Sequence, residues 1–141
     1  VHSFPTRRSS DLLVPILENG DRLPRPEFER RYRLLPDVKK AELVEGVVYM
    51  ASPGRMRNHA EPHANIMLWL GTYRVATPNV MLGDNATVRL DLDNEVQPDA
   101  VLRLDESAGG RSRISEDDYI EGAPEPIVEI AASTASVRPL R

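Results

Sequence analysis

The sequence predicts a mixed α/β domain (an α+β arrangement with a mixed sheet), and three observations predict it. Two segments carry apolar residues at helical spacing. Five short runs rich in β-branched and apolar residues read as strands. Their order is helix, strand, helix and then several strands, which suits helices packed on a sheet. With 141 residues the chain is one domain at most and long enough to bury a core.

Asn19-Gly20-Asp21 is a turn signal. Pro26 to Leu35 then reads as a helix: proline suits the first turn, Phe28, Tyr32 and Leu35 share one face, and Pro36 stops it. Its arginines are expected to form a solvated basic face. Glu42 to Met50, ELVEGVVYM, reads as a strand with Gly46 as a bulge or turn. A second helix is expected from about His63, with Ile66, Met67, Leu70 and Tyr73 inward and Leu68 and Trp69 widening the apolar stripe. Val80 to Leu82, Thr87 to Leu92 and Asp99 to Leu104 read as strands, with Asp93-Asn94 as a turn. The polar stretch DESAGGRSRISEDDYIEG is expected to be a surface loop with at most one helical turn. Pro126 to Ala132, PIVEIAA, is a last apolar strand with Glu129 in its middle.

Composition excludes several classes of function. Hydrophobic residues make up 40% and charged residues 28%, as in soluble globular proteins. Aromatics are 5%, so aliphatic packing must dominate the core. The chain has no cysteine, which removes disulfides, thiolate zinc sites and cysteine nucleophiles, and fits a reducing, cytoplasmic setting. No apolar run approaches membrane-span length. A formal net charge of -4 gives no general attraction to nucleic acid, so any such binding must be local. Residues 1–12, VHSFPTRRSSDL, lack the apolar centre of a secretion signal, and His2 to Leu12 resembles a translated sequencing adapter. They are read as artefact outside the fold.

Two acids stand where ionised groups are costly. Asp99 follows Pro98 at the opening of an apolar strand, and Glu129 lies inside another. On adjacent strands they would repel unless a cation sits between them. Hard oxygen donors suit Mg²⁺ or Mn²⁺, which can lower the pKa of a bound water and stabilise charge on a phosphodiester. Other readings stand beside this one. Asp99 can cap the turn after Pro98, and Glu129 can pair with Arg89 or Arg103. Glu42 can be an ordinary acid at a strand edge. His59 and His63 are four apart, but HAEPH is not HExxH and Pro62 places the helix start between them, which disfavours a zinc hydrolase. Asp91, Asp93, Asp117 and Asp118 read as solvated charge. Asn85 is placed to hold a turn through its side chain.

A strand-opening Pro-Asp followed by an acid in a second strand is similar to the PD-(D/E)xK nuclease pattern. The blocks RRYRLL, AELVEGVVYMASP, HAEPHANI, DNATVRLDLDNEVQPDAVL and SEDDYIEGAPEPIVEIAAS occur in this order between Leu13 and Ser136. Together they resemble the Uma-type, restriction endonuclease-like family. The resemblance implies a restriction-endonuclease-like core over residues 13–141, incomplete at its C-terminus, and metal-dependent cleavage of DNA. It implies Asp99 and Glu129 as ligands of Mg or Mn, with the Ile130 carbonyl joining them. It also implies Glu42 as an acid near the site and His59 or His63 in contact with phosphate or water. A homodimer is compatible with it, and a non-catalytic binding or regulatory module of the same fold is the alternative. One position departs: the pattern wants a lysine two residues after the second acid, where this chain has Ala131. The only lysines, Lys39 and Lys40, lie far upstream. With the text becoming VRPLR after Ser136, the expectation is a chain that lacks its lysine, is inactive as it stands and exposes an aggregation-prone sheet edge.

Overall fold

A computed structural model of the chain describes residues 16–51 and 55–130. The adapter-like segment 1–12 and Ala131 lie outside the described residues. Two helices and nine strands form two sheets among them. Helix α1, Arg25–Arg33, begins with proline in its first turn and carries Glu27 there, with Arg30, Arg31 and Arg33 in its last turn. That distribution complements the helix dipole. Phe28 is fully buried and stacks on Tyr32 at 5.8 Å between centroids. The arginine face is not free: Glu27 accepts from both Arg30 and Arg31.

The expected strand 42–50 is a hairpin, β1 (Ala41–Val44) and β2 (Val47–Met50). Glu45 and Gly46 make the turn at φ +51° and +74°. Two successive left-handed residues define the tight hairpin turn whose twist matches the strands, and glycine supplies the second without strain. Phe28 packs with Leu17, Ala41, Leu43 and Val48, so α1 covers this hairpin.

Helix α2, Glu61–Ala76, is preceded without a break by a π-helical turn, Met56–Ala60. Leu70 is buried, with Ile66 and Met67 packed against the same cluster. Tyr73, Leu68 and Trp69 face solvent instead, so the inward stripe is narrower than expected. α2 lies on the antiparallel sheet β3-β6-β9, built of Val80–Asp84, Ala100–Leu104 and Ile127–Val128. The larger sheet runs β2-β1-β5-β4-β8-β7, mixed because β4 (Val88–Asp91) and β8 (Ile120–Glu121) are parallel. β5, Asn94–Val96, is a strand where only a turn is expected; the turn falls one residue earlier, at Leu92-Asp93. The polar loop holds a 3-10 turn, Glu106–Ala108, and β7, Arg113–Ile114, which pairs with β8. Among the described residues no helix is long and apolar enough to cross a membrane.

β6 ties the layers together. Ala100 and Leu102 pack towards α2, while Val101 packs with Val88 and Ile120. Alternate side chains of a strand point to opposite faces, so β6 is buried on both. Gly83 on β3 lies so close that an added Cβ would stand 2.9 Å from Val101 Cγ1. The two arginines offered by the sequence as partners for Glu129 are engaged elsewhere. Arg103 is buried and donates to the Ser112 hydroxyl and carbonyl at 3.1 and 2.8 Å. Arg89 donates to Glu29 of α1 at 3.0 and 3.2 Å and to Asp117 at 2.9 and 2.6 Å, and stacks over Tyr119. Asp117 is thus an ion-pair partner rather than solvated charge.

Beside Arg89, Glu95 is buried, and burial pushes its carboxyl up to about 8, reinforced by the adjoining Glu29. From about 4.5 to about 8 the unfolded chain ionises this group while the folded chain keeps it protonated. Its contribution is therefore complete below that window and lost as pH rises through it. Thermal unfolding followed across the window is expected to show a shallower fall in Tm for Glu95→Gln than for the parent. In a separate test, Leu43→Ala should cost about 2–4 kcal/mol in urea unfolding, because Leu43 is fully buried.

Candidate active site

The segment Gln97-Pro98-Asp99 carries the chain from β5 in one sheet to β6 in the other. Pro98 is fully buried and Asp99 is only 3% exposed. A carboxylate so placed needs partners, and the fold supplies them on all sides. Asp99 Oδ2 accepts from the Ile130 backbone N–H at 2.7 Å. Oδ1 lies 3.0 Å from His59 Nε2 and 3.7 Å from Lys40 Nζ. Burial pushes the Asp99 carboxyl up, but Ile130, His59 and Lys40 outweigh it and hold the group below its ordinary value.

β6 and β9 pair with Ala100 opposite Val128, so the register places Asp99 across from Glu129. Like charges facing each other across a sheet are unfavourable. Accordingly burial, then Glu42 and Asp99, push the Glu129 carboxyl up to about 7, with Lys40 opposing. Glu42 comes from β1, where Ala41 and Leu43 are buried and Glu42 projects to the other face. Its Oε2 accepts from the Gln97 N–H at 2.9 Å, and its Oε1 stands 3.9 Å from Lys40 Nζ. Glu42 of β1, Asp99 just before β6 and Glu129 just after β9 thus face the junction of the sheets, with the Lys40 ammonium beside Glu42 and Asp99.

The histidines close the other side. His59 is not in a loop but in the π-helical turn, continuous with α2; such turns recur at functional sites. His63 Nε2 lies 2.8 Å from the Asp99 carbonyl and 3.1 Å from Asp84 Oδ1. All these partners are acceptors, so both rings present Nε2–H. The pair therefore braces Asp99 through side chain and backbone. Glu42, His59, Asp99, Glu129 and Ile130, named from the sequence, are brought together. What Ile130 offers here is its N–H to Asp99.

Lys40 is the residue that chain order conceals. Ranked by position it is far from both acids, yet it stands just before β1 and two residues before Glu42, and its ammonium lies 3.9 Å from Glu42 and 3.7 Å from Asp99. The Lys-Ala-Glu spacing at the head of β1 is the signal that finds it. Among the described residues no three His, Cys, Asp or Glu side chains are already gathered as a ligand set for a metal ion. The oxygen donors that face this junction are carboxylates, the donor type that a hard cation takes.

The mixed α/β architecture, with its six-stranded mixed sheet, three-stranded sheet and two helices, agrees with a restriction-endonuclease-like fold. The Uma2 family model, whose description reads "Putative restriction endonuclease", matches residues 25–141, and the chain belongs to that family. No curated protein matches it.

The crowding is directly measurable. In a carbon-13 NMR titration the Glu129 carboxyl should show a midpoint near 7. Glu42→Gln removes a neighbouring negative charge and should lower that midpoint. An ordinary carboxylate midpoint in both proteins would contradict this arrangement.

Proposed function

We propose that the protein is a metal-dependent phosphodiesterase that cleaves DNA at the acid cluster. The observation that carries this reading is the placement of three acids at the sheet junction: Lys40 Nζ stands 3.9 Å from Glu42 and 3.7 Å from Asp99, and the β6–β9 register sets Glu129 across from Asp99. DNA as the substrate rests on the family. Asp99 and Glu129 would hold Mg²⁺ or Mn²⁺, with the Ile130 carbonyl as a further donor. When bound, the ion supplies acidity to a water and stabilises negative charge on the phosphodiester.

The chain's own groups do the rest. Asp99 is kept ionised by its donors, so it is ready as a ligand at neutral pH. His59 from the π-helical turn and His63 from α2 fix its orientation, which limits the reorganisation needed on binding. Glu42, anchored by the Gln97 N–H, presents a second carboxylate edge for orienting the attacking water. The net charge of -4 gives no long-range pull on DNA, so affinity depends on local contacts at this junction.

A second reading, a non-catalytic binding module of the same fold, is favoured by one observation: both Asp99 oxygens already have protein partners. Plasmid DNA incubated with the purified chain separates the two. In place of the inactivity expected from Ala131 alone, the acids placed at the junction lead us to expect nicking or cutting with Mg²⁺ or Mn²⁺ and none with chelator. Asp99→Asn and Glu129→Gln should each reduce the rate on the order of 100-fold or more. Absence of cleavage and of any Mn²⁺ binding by calorimetry would favour the module.

A further inference from the structure

The acid cluster draws on one face of the larger sheet, and the other face carries a second charged feature. Residues paired across neighbouring strands point to the same side. Leu43 of β1 pairs with Glu95 of β5, Glu95 with Arg89 of β4, Arg89 with Glu121 of β8, and Glu121 with Arg113 of β7. The whole row therefore lies on the side of Leu43, under α1, whereas Glu42 projects to the opposite side. From Glu95 outward the row alternates in sign, which is the favourable order for cross-strand neighbours. Helix α1 packs on the hairpin end of the row, and its Glu29 reaches Arg89. Beside this contact a cavity of about 560 Å³ opens, lined by Arg89, Glu121 and Arg113 of the row, by Arg25 of α1 and by Glu106 and Arg111 of the polar loop. Four arginines against two glutamates leave a local excess of two positive charges, in a chain whose formal net charge is -4.

The guanidiniums divide into spent and unspent. Arg89 is held by Glu29 and Asp117, and Arg113 by Glu121. Arg25 Nη1 donates to the Asp91 carbonyl at 3.0 Å, but its Nε is buried and makes no hydrogen bond. Glu29 Oε1, 3.3 Å from that Nε, lies outside hydrogen-bond geometry and already accepts from Arg89 Nε. Buried donors without a partner are costly and rare, and Arg25 Nε is the one such side-chain atom among the described residues. Arg111 is anchored by its backbone N–H, which donates to Glu125 Oε1 at 3.1 Å, and the adjoining Ser112 is buried and held by Arg103. The Arg111 guanidinium itself is exposed and makes no hydrogen bond or ion pair among the described residues. The fold thus fixes two arginines, one on a helix and one on a loop, with donors to spare at the same cavity.

We propose that this cavity is a second binding site, which takes a phosphate monoester of nucleotide size between Arg25 and Arg111. Each planar fork can hold oxygens of one tetrahedral anion, whereas the two oxygens of a carboxylate are consumed by a single fork. A phosphate monoester carries about −1.5 to −2 charges at neutral pH, which matches the local excess. The volume exceeds that of a bare phosphate and falls in the small-molecule range of roughly 300–1,000 Å³, so a nucleoside fits with it. The acid cluster stands on the other face of the sheet, so the group bound here is not the phosphodiester proposed for cleavage. It comes either from a free mononucleotide or from the 5′-phosphate end of a nucleic-acid strand.

The test uses the full chain with chelator present, so that no metal at the acid cluster can hold a phosphate. Deoxyadenosine 5′-monophosphate, deoxyadenosine and inorganic phosphate are titrated by calorimetry at fixed ionic strength. The parent is compared with Arg25→Gln, Arg111→Gln and Arg22→Gln, each checked by thermal unfolding. Arg22 is exposed and outside the cavity, so its variant removes the same charge elsewhere. The parent is expected to bind one monophosphate, and the nucleoside on the order of tenfold more weakly. Arg111→Gln should weaken the monophosphate on the order of tenfold, as should Arg25→Gln where it stays folded, and Arg22→Gln should leave it unchanged. Arg111 is exposed, so its variant decides the matter whatever Arg25→Gln does to folding. Three results overturn the site: a parent that binds neither phosphate nor monophosphate at millimolar concentration, parent affinity in Arg111→Gln, or an equal loss in Arg22→Gln. Short single strands with a 5′-phosphate or a 5′-hydroxyl then compete with the monophosphate. Displacement by the phosphorylated strand alone supports the site and assigns it a strand end. Displacement by neither supports it and assigns it a free nucleotide. Displacement by both shows recognition of internal phosphodiesters and overturns the monoester.

Discussion

A buried carboxylate at the point where the chain passes from one sheet to the other is the constraint on which this structure turns. Asp99 is nearly inaccessible, and leaving it unpartnered would cost several kcal/mol. Each partner comes from a different element: the backbone of Ile130 after β9, His59 from the π-helical turn, and Lys40 from the head of β1. Satisfying one side chain therefore fixes the relative placement of the hairpin, the second helix and the smaller sheet. The packing of β6 reinforces this, because its two faces belong to two different core clusters. A shift of β6 would disturb both clusters and the acid site at once.

Charge is distributed in two separate centres. Around Arg89, acids from α1, β5 and the polar loop meet one guanidinium, with Glu95 keeping its proton. At the sheet junction, acids from β1, from just before β6 and from just after β9 face one ammonium and two histidine N–H groups. The first centre is well matched: the planar fork of arginine binds carboxylates edge to edge. The second is looser, with the ammonium beyond hydrogen-bond distance of its acids. The tight centre suits a structural clamp between α1 and the large sheet. The loose one suits a place where a ligand can enter.

Much of this was legible in the sequence, for definite physical reasons. Phe28 and Tyr32 announce α1 because helical spacing places them on one face, and Leu70 does the same for α2. Asp99 and Glu129 stand out because charge inside an apolar strand demands an explanation. Other features were not legible. Leu68, Trp69 and Tyr73 look like core because periodicity shows a stripe but not how wide its partner is; the sheet under α2 covers only the row through Ile66, Met67 and Leu70. β5 is hidden because three residues are too few for a periodic signal, and its pairing to β1 and β4 is decided across the chain. His59 looks like a loop residue because Pro62 suggests a helix start, yet proline is tolerated in the first turn of a helix and the π-helical turn runs straight into it. Arg89 as a partner of Asp117 is invisible, since 28 residues separate them.

Lys40 shows how a strand treats chain direction. Two residues before an acid and two residues after it lie on the same face of a pleated sheet, each about 7 Å from the acid along the strand. A helix has no such symmetry, because its side chains all tilt toward one end. A functional group carried on a strand can therefore stand on either side of its neighbour along the chain and still face the same site. Signatures written as ordered strings follow ancestry; the chemistry follows a surface, and on a sheet that surface has no reading direction.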